Sequence, residues 1–140
     1  MLSKEQALSG IQQHLIANEI IEDSIMTHYK AESGFSGLAG NASTSGVPVK
    51  GLLASTNLRI LFYGELAKEL PVFREVYYKD VTDIKEKKEP FALFKSIPVY
   101  IISHKDRDTF TSRGYPDELT KLQAFFKKVQ DNHLKQEENI

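Results

Sequence analysis

Apolar residues near the N-terminus recur at three- and four-residue steps, the spacing that places side chains on one face of a helix. Ser3 and Gln6 have the spacing of a capping box, which stabilises the start of a helix. We therefore predict an amphipathic helix within residues 1–21. Its apolar face would consist of Ala7, Leu8, Ile11, Leu15 and Ile16.

Between residues 25 and 113 the pattern changes to short apolar or alternating runs separated by polar turns, which is typical of β-strands. Pro90 is expected to interrupt one of these runs, because proline lacks the N–H that a strand ladder uses. Closely spaced strands of this kind favour an antiparallel sandwich or a small barrel. We predict seven strands, at residues 25–32, 51–55, 58–63, 73–78, 81–86, 99–104 and 109–113.

A second amphipathic helix is predicted at residues 116–135, after which residues 136–140 are expected to fray. Pro116 suits the first turn of this helix. The whole chain then forms a single domain whose C-terminal helix caps a barrel that spans residues 25–113. The capping face would consist of Leu122, Phe125, Phe126 and Val129.

The N-terminal helix has two destinations, the outer wall of its own barrel or another chain. In the strand at residues 58–63, Leu61 and Tyr63 fall on the face opposite Ile60 and Phe62, and they offer an apolar surface. We expect the helix to pack there, because the segment that joins it to the first strand is short.

Residues 33–49 contain four glycines, four serines and no charged residue, which is the composition of a loop. Seventeen residues is long for a connection within one domain, so the segment is a candidate for function or mobility. Its glycine spacing superficially matches a phosphate-binding loop. A strand follows it instead of a helix N-terminus, and this order favours a flexible linker.

Composition excludes several classes of function. Eighteen basic and nineteen acidic residues give a net charge of −1 over 140 residues, so we expect no wholesale binding to nucleic acid. The chain has no cysteine, which excludes disulfides, thiol catalysis and cysteine zinc sites. No signal-like or membrane-spanning run is visible, and a cytoplasmic location is the expectation.

Residues 51–64 (GLLASTNLRILFYG) resemble a hairpin of the bacterial pleckstrin-homology (PH)-like domains and the related GRAM domains. Residues 78–84 (YKDVTDI) resemble their next signature, an aromatic followed by an acidic turn and a Val/Ile-x-x-Ile pattern. The resemblance covers about residues 25–130. It implies a strongly bent seven-stranded antiparallel barrel capped by a C-terminal helix, to which this chain adds an N-terminal helix.

The same resemblance implies an anion-binding position. Lipid-binding members carry a lysine late in the first strand and a Lys/Arg-x-Arg pair in the second. Lys30 matches the first position and Lys50 opens the second strand, but Gly51 and Leu52 follow where the pair requires an arginine. Two lysines are few for a multiply phosphorylated ring. We therefore expect no specific binding to phosphoinositides.

A cluster of lysines and aromatic residues, KEKKEPFALFK at residues 85–95, is the other candidate contact site. As the tip of a hairpin, this segment could contact an anionic membrane interface or a protein surface, or its phenylalanines could close the end of the barrel. These three interpretations stay open. The candidate contact residues are Lys87, Lys88, Phe91, Leu93, Phe94 and Lys95.

Catalysis is not expected. His104, Asp106 and Asp108 cluster near Ser103 and Ser112, but a triad needs a buried carboxylate and an oxyanion hole, which an exposed turn does not offer. No histidine spacing suggests a metal site, and no cofactor is predicted. The leading hypothesis is a non-catalytic module that recognises a protein partner or itself. A peripheral membrane module is the alternative.

Overall fold

The computed structural model describes residues 2–31, 47–67, 70–92 and 95–134. Most of the predicted loop, residues 33–46, lies outside these ranges, and residues 47–49 belong to a strand. Helix α1 spans Lys4–Gln12 and begins at the predicted capping box of Ser3 and Gln6. It is much shorter than the segment 1–21 in which it was expected.

Seven strands follow α1, as predicted, and most are longer than the sequence pattern indicated. A 3₁₀ turn at Tyr78–Asp80 joins β4 to β5, and a short π-helical segment, Gln130–Leu134, extends the last helix. The strands and the last helix are β1 Ile21–Ala31, β2 Val47–Thr56, β3 Arg59–Ala67, β4 Leu70–Tyr77, β5 Asp83–Ala92, β6 Lys95–Ser103, β7 Arg107–Thr111 and α2 Pro116–Val129.

All seven strands form one antiparallel sheet in the order β4-β3-β2-β1-β7-β6-β5. Strand β1 pairs with β2 along most of its length but with β7 through only three residue pairs, from His28–Thr111 to Lys30–Thr109. The sheet curls into a half-barrel with β4 and β5 at its two edges. This architecture confirms the predicted fold class.

Pro90 does not interrupt β5, contrary to the expectation from sequence. The strand continues to Ala92, with a shift of register between Pro90 and Ala92. The physical reason is the position of β5 at the edge of the sheet. A proline at an edge can direct its missing donor away from the neighbouring strand, so no ladder bond needs to be lost.

The interior of the half-barrel is filled from α2 and from the inner faces of the strands. The rings of Tyr29, Phe62 and Phe110 lie 5.5–5.7 Å apart, and Phe126 stacks on Tyr100 at 5.1 Å. Such ring pairs contribute beyond the apolar area that they bury. The predicted capping residues Leu122, Phe125, Phe126 and Val129 are all buried in this core.

Helix α1 packs on the outer face of its own sheet, as expected. Ala7 and Ile11 are fully buried there against Leu61 of β3, together with the β2 residues Leu52 and Ala54. The predicted Tyr63 borders the same contact, where a Cβ on Gly10 would lie 2.6 Å from its ring. Any side chain at this point of closest approach would require the Tyr63 ring to move.

A buried ion pair fixes the segment that links α1 to β1. Arg59 is 4% exposed and Glu19 is 8% exposed. The guanidinium donates to both oxygens of Glu19 at 2.8 and 2.9 Å, to the Glu75 carboxylate at 2.7 Å and to the carbonyl of His14 at 2.7 Å. Each of these bonds is charge-assisted, and the pair with Glu19 is bidentate.

The turn between β2 and β3 completes this attachment. The Thr56 hydroxyl donates to Glu19 and accepts the backbone N–H groups of residues 58 and 59. The Asn57 amide accepts the N–H of Ile20 and donates to the carbonyl of Asn18. Residues 56–59 (TNLR), which belong to the first of the two resembling motifs, therefore hold the N-terminal region.

We predict that Ile11→Ala lowers the free energy of unfolding by about 2–5 kcal/mol, because it leaves a cavity between α1 and the sheet. Gln12→Ala is the matched control on the exposed side of the same helix. Urea denaturation measures both variants. Equal stability of the two would contradict the packing of α1 described above.

The Glu19–Arg59 pair predicts a pH dependence of stability. Burial alone would raise the pKa of Glu19, but hydrogen bonds from Arg59, Thr56 and the N–H of Ile16 outweigh burial and hold that pKa below its usual value of 4.5. A carboxyl whose pKa is lowered on folding contributes stability above its unfolded pKa. This contribution is lost as the pH falls through the folded pKa.

Glu19→Gln removes the titrating group and leaves Arg59 without its bidentate partner. At pH 7 we expect the wild type to be more stable than this variant by about 3–5 kcal/mol. Denaturant unfolding between pH 7 and pH 2 should show the difference shrinking as the pH falls below about 4.5. A difference that stays constant over this range would show that Glu19 is not the group responsible.

Candidate functional site

The end of β1 and the edge strand β5 meet on the outside of the sheet. The ammonium of Lys30 lies 2.5 Å from a carboxylate oxygen of Glu89, and both side chains are about one quarter to one third exposed, at 24% and 30%. Tyr29 points into the core, so Lys30, the next residue along the strand, points outward. The bridge therefore ties the β5–β6 hairpin to the outer face of β1.

A cavity of about 210 Å³ lies at this bridge. Val99 lines this cavity and is only 1% exposed, although its neighbour Tyr100 is the residue that packs in the interior core. The cavity walls therefore shield an outward-facing aliphatic residue. We call this cavity the hairpin groove, and it is lined by Lys30, Pro48, Glu89, Pro90, Ile97, Val99, Thr111 and Arg113.

Arg113 contributes the second cation of the hairpin groove. Its φ of 53° lies in the left-handed region, where a residue with a side chain is strained, and Gly114 follows with a φ of 83°. The backbone N–H of Arg113 donates to the Thr111 hydroxyl at 3.0 Å. Within the described ranges, its guanidinium forms no ion pair. Two cations and one carboxylate give the groove a formal charge of +1.

The structure brings one predicted anion-binding residue into this groove and leaves the other outside. Lys30 lines the groove, whereas Lys50 is exposed, lies opposite His28 in the β1–β2 register and does not line it. Lys87, Lys88 and Lys95 are exposed on the β5–β6 hairpin. The side chain of Phe91 and all of Leu93 and Phe94 lie outside the described residues.

Of the eight residues that line the groove, only Lys30 was predicted as a site residue from the sequence. Arg113 and the apolar pair Ile97 and Val99 are among those that were missed. The Arg-Gly step at residues 113–114 was a visible turn signal, but it carried no indication of a site. Lys30 and Arg113 are far apart in the chain, and only the pairing of β1 with β7 brings them to one groove.

The turn at residues 105–107 is exposed, as expected, but the flanking Asp108 is buried. Asp108 is only 1% exposed, and its carboxylate accepts hydrogen bonds from the Tyr29 hydroxyl at 3.0 Å and from Arg74 Nε at 2.8 Å. His104 Nε2 lies 3.0 Å from its second oxygen. The expectation that this segment lacks a buried carboxylate was wrong, because side chains from β1 and β4 cover Asp108.

This arrangement links strands across the barrel. Burial and the nearby Asp108 carboxylate raise the pKa of the Tyr29 phenol well above its usual range, so the phenol stays protonated and donates. Neither the Ser103 nor the Ser112 hydroxyl hydrogen-bonds His104 in the part of the chain that the structure describes. The same residues contain no group of three or more His, Asp or Glu side chains that could hold a metal ion.

The curled antiparallel sheet with its C-terminal helix defines a PH-like fold. The solved hSac2 domain from the human phosphoinositide phosphatase Sac2 is similar, with a TM-score of 0.54 and 15% sequence identity. The match covers 93% of this chain and 82% of that chain. At this identity the likeness concerns the fold alone.

No protein-family model matches the chain, and no curated protein matches its sequence. Each helix within the described ranges is too short or too polar to cross a bilayer.

We predict that Asp108→Asn lowers the free energy of unfolding by about 1–3 kcal/mol, because Arg74 and Tyr29 lose their charged acceptor. Asp106→Asn is the matched control, since Asp106 lies 3.7 Å from the same arginine but is 70% exposed. Its effect should stay within about 0.5 kcal/mol. Thermal and urea unfolding measure both, and an equal loss for the two variants would refute the role given to Asp108.

Proposed function

We propose that this chain is a non-catalytic PH-like binding or scaffold module that recognises a protein partner or a second copy of itself through the hairpin groove. The observation that carries the proposal is the groove itself, which lies on the outer face of the sheet and presents Arg113, whose guanidinium forms no ion pair with any residue that the structure describes. Preformed grooves with a few placed polar groups are the usual form of binding sites.

The absence of catalysis is part of the same proposal. Asp108 is the buried carboxylate closest in character to a catalytic one, and its oxygens already accept from Tyr29, Arg74 and His104. These contacts favour a structural role for Asp108. We also propose that the module needs no cofactor and acts in the cytoplasm.

A relationship to the bacterial PH-like and GRAM families is the finer form of this proposal. It rests on the motifs at residues 51–64 and 78–84. Thr56, Asn57 and Arg59 of the first motif hold the β2–β3 turn and the N-terminal segment together. The residues of this motif stabilise a turn. The motif therefore supports a related fold more directly than it supports binding of the same ligand.

Comparison of two isoleucine variants tests the proposal. Ile97 and Ile101 are partly buried, alternate on the same face of β6, and differ in that only Ile97 lines the hairpin groove. Tagged wild type, Ile97→Glu and Ile101→Glu are used to capture proteins from the source cell, with quantitative mass spectrometry. Light scattering of each purified protein measures self-association.

We expect a bound protein, or a dimer, that is lost in Ile97→Glu and retained in Ile101→Glu. If neither variant changes any interaction, the groove is not the recognition site. Hydrolysis of a generic ester or phosphodiester panel that His104→Ala abolishes would contradict the non-catalytic proposal.

Membrane contact is the second candidate, because Lys87, Lys88 and Lys95 are exposed on one hairpin. Each lysine near an anionic surface contributes about 1 kcal/mol of attraction. Co-sedimentation with anionic vesicles tests this candidate. Salt-sensitive binding that is lost in Phe91→Ser/Phe94→Ser would favour it over the protein-binding proposal.

A further inference from the structure

We propose that the hairpin groove captures the free C-terminal carboxylate of a partner polypeptide that ends in an aliphatic residue. This inference rests on the proposed function, that the chain recognises a protein, and it names the chemistry of recognition. Its basis is the charge, the donors and the volume of the groove.

The charge of the groove matches a single carboxylate. Lys30 and Arg113 contribute two positive charges, and Glu89 cancels one of them. One bound carboxylate therefore neutralises the remaining charge. A phosphomonoester carries about −1.5 to −2 charges, which is more than the groove compensates.

The donors of the groove come from side chains. An ammonium has three N–H groups, and the Lys30 ammonium directs one of them at Glu89, which leaves two. The Thr111 hydroxyl oxygen accepts the N–H of Arg113, and its own proton has no hydrogen-bond acceptor among the residues that the structure describes. Pro48 and Pro90 have no backbone N–H, so these walls cannot form the amide cradle that phosphate sites use.

Arg113 is the donor with the geometry for a carboxylate. A guanidinium binds a carboxylate through two parallel N–H···O bonds. The turn that carries Arg113 is held by the bond from its N–H to Thr111 and by a bond from the Gly114 N–H to the Ser112 hydroxyl. The guanidinium therefore projects from a fixed turn, which reduces the entropy lost on binding.

The volume of the groove suits a single residue of a ligand. A cavity of about 210 Å³ equals roughly seven waters at about 30 Å³ each. A leucine side chain with its carboxylate is of this size. In a C-terminal residue both groups leave the same carbon, so the carboxylate meets Lys30 and Arg113 while the side chain packs on the partly buried Ile97.

Titration with short peptides, followed by ¹⁵N chemical shifts of the full chain, tests the inference. The probe is acetyl-Gly-Gly-Ser-Leu with a free carboxylate, and its C-terminal amide is the matched control. Acetyl-Gly-Asp-Gly-Gly-amide supplies an internal carboxylate, and inorganic phosphate supplies the competing anion. We expect saturable shifts at Val99, Thr111 and Gly114 with the free-acid peptide, and binding weaker by at least about tenfold for the other three probes.

Two arginine variants distinguish binding in the groove from nonspecific attraction of the peptide to positive charge. Arg113→Asn removes the guanidinium, and asparagine tolerates the left-handed backbone. This variant should bind the free-acid peptide at least about tenfold more weakly than the wild type. Arg107→Gln removes an exposed cation at the start of β7, outside the groove, and should leave the affinity unchanged. An unchanged dispersion of the spectrum confirms that each variant is folded.

Equal binding of the acid and amide peptides, or no shift at millimolar peptide, would overturn the inference. Tighter binding of the internal aspartate or of phosphate would overturn it in favour of that other anion. The proposed function is tested by a different result. A protein captured by wild type and lost in Ile97→Glu sustains protein recognition even when no C-terminal peptide binds.

Discussion

The outer face of this protein depends on the burial of one guanidinium. Arg59 lies where α1, the linker to β1, and strands β3 and β4 meet, and it bonds to Glu19, Glu75 and the carbonyl of His14. An arginine this deeply buried is stable only when each N–H group finds an acceptor and the charge is compensated. The linker is therefore confined to a path that places Glu19 beside it, and α1 is held against the sheet.

The two faces of the curled sheet have different roles: the inner face forms the core, and the outer face carries α1 and the groove. The inner face holds the aromatic core and the Asp108 cluster, in which Arg74 of β4 bonds to Asp108 of β7, a strand that is not its neighbour in the sheet. The outer face carries α1 at the β2–β3 hairpin and the hairpin groove on the other side of β1. The groove residues lie outside the aromatic core, but Val99 and Thr111 are buried. The exposed Arg113 and the partly exposed Lys30 and Glu89 can therefore vary in chemistry at less cost to folding.

Local periodicity explains which features could be predicted from the sequence. The alternation along β3 correctly assigned Phe62 to the core and Leu61 to the contact with α1, and the helical spacing correctly placed Phe126. These assignments need only neighbouring residues. The burial of Asp108 depends on Tyr29, which is 79 residues away, and the groove depends on the meeting of Lys30 with Arg113. No local pattern contains such long-range pairings. The prediction that Pro90 interrupts a strand was wrong for a related reason, since only the strand order reveals that β5 is an edge strand.

The strand order also has a consequence for synthesis on the ribosome. Strands β1 to β4 are consecutive neighbours, so they can pair as they emerge, and α1 can cover them. The second side of β1 must remain unsatisfied until residues 109–111 of β7 have left the exit tunnel. For that interval the nascent chain exposes an open strand edge and an unfilled aromatic face, the features that chaperones recognise and that promote aggregation. Slow translation between β4 and β7 would therefore lengthen the time for which this edge is exposed.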